Sequence, residues 1–167
     1  YVKATRNGRG TRLDRKKRMQ IWKVFENYQN LMKENQIRDI NTAMYESTKL
    51  LESTSRKPQY ASIIIDEGQD FSDNAYRLVR ALAGEEHPND IFIVGDSHQR
   101  IYRNHPTLSK CGINVRGRSN ILRINYRTTE EIRKHAFALL SGISFDDLDD
   151  DFAFGDKCQS LTHGGNP

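Results

Sequence analysis

Ile63-Ile64-Ile65-Asp66-Glu67-Gly68-Gln69-Asp70-Phe71 joins three β-branched residues directly to two carboxylates. The isoleucine run predicts a strand buried on both faces, as in a parallel sheet. The carboxylates fall where that strand must end. In open α/β sheets, ligands lie just beyond the carboxyl ends of the strands. An acidic pair in that position suits a divalent metal and the polarisation of a water molecule. The same pair is also common in plain turns and helix caps, so the neighbouring segments must decide.

Downstream, Ser72 to Ala83 has helical spacing, with Ala75, Leu78, Val79 and Leu82 on one side, and Gly84 is placed to end it. His87-Pro88-Asn89-Asp90 turns the chain into a second apolar run, Ile91-Phe92-Ile93-Val94, which closes on Gly95-Asp96-Ser97-His98-Gln99. Strand, helix, strand is one βαβ unit, so the two strands are expected to be parallel neighbours ending on the same edge. Asp66, Glu67, Asp96 and Gln99 would then share one ridge above the sheet. A third strand is expected over residues 120–124. It leads into Asn125-Tyr126-Arg127-Thr128 and a helix from Thr128 or Thr129, with Glu130 and Glu131 favouring its first-turn dipole. The apolar stripe of that helix is Ile132, Ala136, Leu139 and Leu140, with Gly142 as its stop.

Upstream, Ile21, Trp22, Phe25, Tyr28 and Met32 recur at helical spacing in a helix starting near Thr11. A second helix runs from a cap at Asp39 to about Leu51. The short connection predicts an antiparallel helical pair, with Trp22 as core packing. Residues 53–58 break the pattern as a linker. Residues 103–119 are irregular, and the acidic stretch beyond Asp146 has no clear period and no assignable role.

The chain has 167 residues, 36% hydrophobic, with a net charge of +4, and its mean hydropathy is -0.78. That bounds a polar, one-domain-sized chain. No apolar run approaches the roughly 18 residues of a membrane span, and the start does not resemble a signal peptide. Cys111 and Cys158 fit no metal spacing, and reduced thiols in the cytoplasm are the default expectation. Basic residues crowd the first stretch, from Lys3 to Lys23, against Asp14 alone. Such a stretch suits phosphate backbones and equally a solvated face.

Three corners, IIIDEGQDF, IFIVGDSHQRIY and LRINYRTT, therefore stand in order at the ends of predicted strands. Together they resemble motifs II, III and IV of the UvrD/Rep-type superfamily 1 helicases, over roughly residues 60–133. The fold class implied is α/β, a P-loop NTPase (RecA-like) parallel-sheet fragment with an N-terminal helical subdomain. Residues 1–58 would be a helical insertion of the 1B type, 59–107 part of the first RecA-like lobe, and 108–167 the start of the second. By resemblance, Asp66 would hold Mg²⁺ on the ATP phosphates and Glu67 would activate the attacking water. Gln69 would link the nucleotide site to neighbouring motifs, and Gln99 would reach the γ-phosphate. Tyr126 would stack on adenine and Arg127 would act as the arginine finger. Tyr102, Arg103 and His105 would face single-stranded DNA. The implied partners are ATP, single-stranded and duplex DNA and the rest of a helicase chain, with no membrane.

Two departures qualify the resemblance. The tryptophan that commonly follows Ile-Tyr-Arg in the family is Asn104 here, which removes a base-stacking platform worth about 1–3 kcal/mol per base. No GxxxxGK[ST] loop occurs in the sequence. The chain starts without methionine or an evident first element, so an internal helicase fragment, inactive alone, is the expectation. Its parent would be an ATP-dependent helicase or translocase of 3′ to 5′ polarity. Plainer roles stay open: Asp96 and Asn125 as turn caps, Tyr126 as packing, Arg127 as a partner of Glu130 or Glu131. Two rival functions also stay open, a non-catalytic nucleic-acid-binding module and a metal-dependent nuclease using Asp66, Glu67 and Asp96.

Overall fold

The structure is a computed structural model, described for residues 13–55, 60–99, 107–140, 145–146, 152–153 and 158–165. The chain divides into two compact units, Tyr1–Ala43 and Met44–Pro167.

In the first unit, α1 spans Arg15–Glu34. Asp14 caps it by accepting from the Lys17 N–H at 2.8 Å, which satisfies one orphan donor of the first turn. Asn35 and Gln36 end it, Gln36 in the left-handed region at φ 54°. Asp39 then accepts from the Thr42 N–H at 2.8 Å and opens α2, Ile40–Ser53, as the cap expected there. The Tyr28 hydroxyl also donates to Asp39. No residue of α1 is buried. Trp22, expected as core, is 38% exposed, and Phe25 and Tyr28 are similarly open. The indole nitrogen of Trp22 donates to Glu26 along the helix, so its polar tip is satisfied locally.

The second unit holds the βαβ core. β1 is Ile63–Ile65, α3 is Asp73–Ala83 with Ser72 as its cap, and β2 is Ile91–Ile93. β1 and β2 pair in parallel, Ile63 opposite Ile91 and Ile65 opposite Ile93. The inward residues of both strands pack with Tyr76, Val79, Leu108, Cys111 and Ile113. The segment around residues 108–113, irregular in the sequence, is thus the layer that closes this core over α3. Tyr76 is fully buried at 0% exposure, worth roughly 2–3 kcal/mol of apolar burial.

The expectation of a strand buried on both faces is overturned. Ile64 is 76% exposed and Phe92 61% exposed. With successive side chains on opposite faces, a two-stranded sheet covered on one side buries Ile65, partly buries Ile63 and leaves Ile64 open.

Beyond the core, β3 is Ile124–Asn125 and α4 is Glu130–Ala138, capped by Thr129. β4, Phe145–Asp146, and β5, Phe152–Ala153, form a short antiparallel pair. β6, Gln159–Ser160, pairs in parallel with β3, so part of the acidic tail has a structural role that its sequence did not announce. Glu130 explains the attachment. Its carboxylate takes Arg133 side-on, at 2.8 and 2.6 Å, and accepts the Ser160 N–H at 2.8 Å. Glu131 accepts the Gly164 N–H at 2.8 Å. The buried residues of α4 are therefore Glu130 and Arg133, whereas Leu139, expected on the packed stripe, is 75% exposed. The expected stop at Gly142 lies outside the described residues.

Arg133 and the Ser160 amide lower the Glu130 pKa from 4.5 to about 2. A carboxylate depressed on folding stabilises the native state above its ordinary pKa and loses that contribution as pH falls through the folded value. The tail contact should accordingly weaken between about pH 4.5 and 2. Amide resonances of Ser160 and Gly164 followed through an acid titration should lose their native positions in that window. In Glu130→Gln they should already be displaced at neutral pH, and a wild-type titration flat across the window would refute the coupling.

Candidate active site

The first two corners lie side by side because β1 and β2 are parallel and end on one edge. The chain leaves β1 at Asp66, and Gly68–Asp70 makes one 3₁₀ turn. The Gly68 N–H donates to the Val94 carbonyl at 2.9 Å, and the Tyr76 hydroxyl donates to the Gly68 carbonyl at 2.6 Å. Both glycines are required by close approach. A Cβ on Gly68 would stand 2.7 Å from Ile93 Cγ2 and 2.8 Å from the Tyr76 hydroxyl, and one on Gly95 would stand 2.8 Å from Gln69 Oε1.

Gln69 is the tie between the corners. Its side chain is buried, with the residue 4% exposed. Nε2 donates to Glu67 Oε2 at 2.6 Å, and Oε1 accepts from the Asp96 N–H at 3.0 Å. One carboxamide thus orients the Glu67 carboxylate and registers it against the second corner. Both ends of the group are satisfied within the chain, so its geometry is that of an organiser.

Glu67 itself is in the left-handed region, φ 52° and ψ 41°. A non-glycine residue there is uncommon, and such strain persists only where surrounding contacts over-determine it. Here those contacts are the Gln69 bond, the two bonds to Gly68, and the Glu67 N–H donating to Asp66 Oδ1 at 2.9 Å. The Asp66 and Glu67 carboxylates remain exposed at the end of the strand.

At the second corner Asp96 behaves as the turn cap that one expectation allowed. Oδ1 accepts from the His98 N–H at 2.9 Å and lies 3.0 Å from His98 Nδ1. Oδ2 accepts from Gln99 Nε2 at 3.0 Å. Burial opposes the charge, but the His98 and Gln99 donors outweigh it and hold the carboxyl below its usual range. Gln99 is exposed, and its amide nitrogen points back to Asp96.

The third corner is built on Asn125, whose Oδ1 accepts from the Arg127 N–H at 2.9 Å and from the Thr128 N–H at 3.4 Å. That Asx turn leaves Tyr126 75% exposed and Arg127 exposed. Glu130 is taken by Arg133 and Lys134 and Glu131 by His163. Neither is an ion-pair partner of Arg127 among the described residues. β3 belongs to a separate sheet from β1 and β2. Tyr126 and Arg127 make no hydrogen bond to the first two corners among the described residues, and α4 meets the second corner through Phe137, whose ring centroid lies 5.3 Å from that of His98. Tyr102, Arg103 and His105 lie outside the described residues.

The donor set fits magnesium better than a caged metal. Mg²⁺ keeps several waters and takes one or two carboxylates together with phosphate oxygens. Asp66 offers an exposed carboxylate beside Glu67. Among the described residues no group of three His, Cys, Asp or Glu side chains could enclose an ion. Cys111 and Cys158 are both free thiols, and no described helix is long and apolar enough to cross a membrane.

A parallel βαβ unit with carboxylates at its strand ends, tied through a buried amide to a second polar corner, is an α/β arrangement with its polar corners on one edge. Residues 3–105, more than half the chain, match the model of the UvrD/REP helicase N-terminal domain, and the chain belongs to that family. It is 39% identical over 80 residues to a "Probable DNA helicase" of Mycoplasma pneumoniae, a match covering 45% of this chain and 15% of that protein. It is 42% identical over 62 residues to a "Probable DNA helicase II homolog" of the same organism, covering 37% of this chain and 8% of the relative. The matched stretch is thus a small part of either relative's length.

Proposed function

We propose that this chain is a piece of a DNA helicase or translocase, made of a 1B-type insertion (1–58), part of a first RecA-like lobe (59–107) and the start of a second (108–167), with part of the ATP site carried by the two lobes. The observation that supports it most is the Glu67–Gln69–Asp96 tie. It holds an exposed acidic pair in fixed register with Gln99, on the edge where α/β sheets take ligands.

In this reading Asp66, together with water molecules, would hold Mg²⁺, which would supply neutralisation of the phosphate charge of ATP. Glu67 accepts the proton of the attacking water, a task its strained backbone and its bond from Gln69 serve by fixing the carboxylate. Gln99 donates to the γ-phosphate, exchanging its Asp96 contact for a ligand contact. Tyr126 stacks on adenine, and Arg127, free of any carboxylate partner among the described residues, neutralises transition-state charge when the second lobe closes. Tyr102, Arg103 and His105 contact single-stranded DNA, and movement along it is 3′ to 5′, in the cytoplasm.

The nuclease reading fares worse on geometry, because both Asp96 oxygens already accept hydrogen bonds within the chain. The nucleic-acid-module reading keeps one support, the exposed Arg15, Lys16 and Lys17 at the start of α1. Unchanged DNA affinity in salt titrations after deletion of residues 1–23 would remove it.

With no GxxxxGK[ST] loop in its sequence, the 167-residue chain alone should turn over ATP no faster than buffer. A longer protein joining this stretch to such a loop should show Mg²⁺-dependent hydrolysis stimulated by single-stranded DNA. Steady-state hydrolysis by the chain alone, abolished by Glu67→Gln, would overturn the fragment reading. DNA cleavage without ATP by the longer protein would favour the nuclease.

A further inference from the structure

On the outer side of α3, away from the corners, the second unit contains a cavity of 520 Å³. It is walled by α2 through Thr48, Lys49 and Glu52, floored by α3 through Arg77 and Arg80, and closed by the turn at Lys110. We infer that this cavity is a phosphate-binding site, separate from the proposed ATP site and independent of it.

Charge is the first argument. Lys49, Arg77, Arg80 and Lys110 line the cavity, with Glu52 as the acidic lining residue. Glu52 is already paired to Lys49 at 2.8 Å. Beneath the floor, Asp90 pairs with Arg80 at 2.7 Å. The cavity thus keeps an excess of two positive charges after every internal pair is made.

Unused hydrogen-bonding capacity is the second. Arg77 is exposed, and its guanidinium has no hydrogen bond or ion pair among the described residues. Lys110 donates to the Thr107 hydroxyl at 3.4 Å and retains further N–H donors. Arg80 is held in place by Asp90 and by the Gly84 carbonyl at 3.0 Å, yet its buried Nε has no partner. That nitrogen is enclosed by the chain, so Arg80 contributes a fixed charge to the floor, and the donors open to a ligand are those of Arg77 and Lys110.

Construction is the third. Gly112 has φ 82°, and a Cβ there would approach Arg80 Cγ to 3.3 Å. The turn therefore passes closely over the arginine stem, and Arg80, Gly112 and Lys110 line the same space as Lys49 of α2. A forked guanidinium, a point cation and a fixed cationic floor around one space match a tetrahedral oxyanion better than a carboxylate or a neutral ligand. The phosphate can belong to a single-stranded backbone or to a free phosphate compound.

The test uses the intact 167-residue chain. Arg77→Glu with Lys110→Glu reverses two exposed side chains, so folding should survive, as checked by circular dichroism. The control is Arg116→Glu with Arg123→Glu, an equal charge change on exposed residues away from the cavity. Fluorescence anisotropy with an oligothymidylate of about fifteen nucleotides should show the cavity variant weakened about tenfold or more at low salt and the control within about twofold. Inorganic pyrophosphate is the second probe, read by the Arg77 Nε–H resonance. A resonance shift with pyrophosphate and undiminished oligonucleotide affinity in the cavity variant would assign the site to free phosphates. Equal weakening in both variants without a resonance shift, or no response to either probe, would overturn the proposal.

Discussion

Gly68→Ala is expected to destabilise the β1–α3–β2 unit by roughly 2–4 kcal/mol, because a methyl group has no room there. Its Cβ would overlap Ile93 Cγ2 at 2.7 Å and the Tyr76 hydroxyl at 2.8 Å. Neither neighbour can yield cheaply. Ile93 is a β-branched residue in the sheet, and Tyr76 is fully buried with its hydroxyl committed to the Gly68 carbonyl. Backbone relief is blocked too, since the Gly68 N–H is bound to Val94 across the sheet. Gly84→Ala makes the comparison, as a Cβ there meets nothing within 4 Å and only the positive φ of 77° is unfavourable. With ψ at -139° the backbone lies close to a glycine-only region, so that change should cost about 1–3 kcal/mol through strain alone. Urea unfolding of both variants, followed by circular dichroism, measures the difference. Matching midpoints for Gly68→Ala and the wild type would show that the corner is looser than its contacts indicate.

What the sequence disclosed, and what it hid, follows from the range of the interactions involved. α3 was legible from Ser72 to Gly84 because caps and helical period are local signals, and the parallel pairing of β1 with β2 followed from the βαβ order. The bond from Gln69 to Asp96 spans 27 residues, and no local pattern announces it. Tyr76 was passed over because it falls beside the apolar stripe of Ala75 and Val79, yet it is the most buried side chain of the core. The docking of β6 on β3 was hidden for a different reason. Its strongest partner is Glu130, whose placement in a first helical turn already had a sufficient local explanation. The same charged pair displaced the apolar stripe of α4 from the packed face. Ile64 misled in the opposite direction: β-branched residues state that a strand forms, and the number of layers over it is decided elsewhere.

Glu67→Gln is expected to lower turnover by about 10²- to 10⁴-fold in a longer protein that joins this stretch to a phosphate loop, the range for removal of a general base. The amide is isosteric and cannot accept the proton. It can still accept from Gln69 Nε2, now 2.6 Å from the carboxylate, so the tie to Asp96 survives. Backbone geometry also survives, because the left-handed conformation at φ 52° is set by Gly68, Val94 and Tyr76 and not by the charge. Stability should therefore change by less than about 1 kcal/mol, roughly the difference between a charge-assisted and a neutral hydrogen bond. ATP binding should be retained for the same reason. Turnover falling while unfolding midpoint and nucleotide affinity hold is the pattern that separates a chemical role from a structural one. Glu67→Gly gives the converse control, since it removes the carboxylate together with an αL cost of about 1–2 kcal/mol. It should be as inactive as the glutamine variant, with no larger loss of stability than the lost Gln69 bond accounts for. Turnover preserved in either variant would place the base elsewhere and leave Glu67 as a strained turn residue.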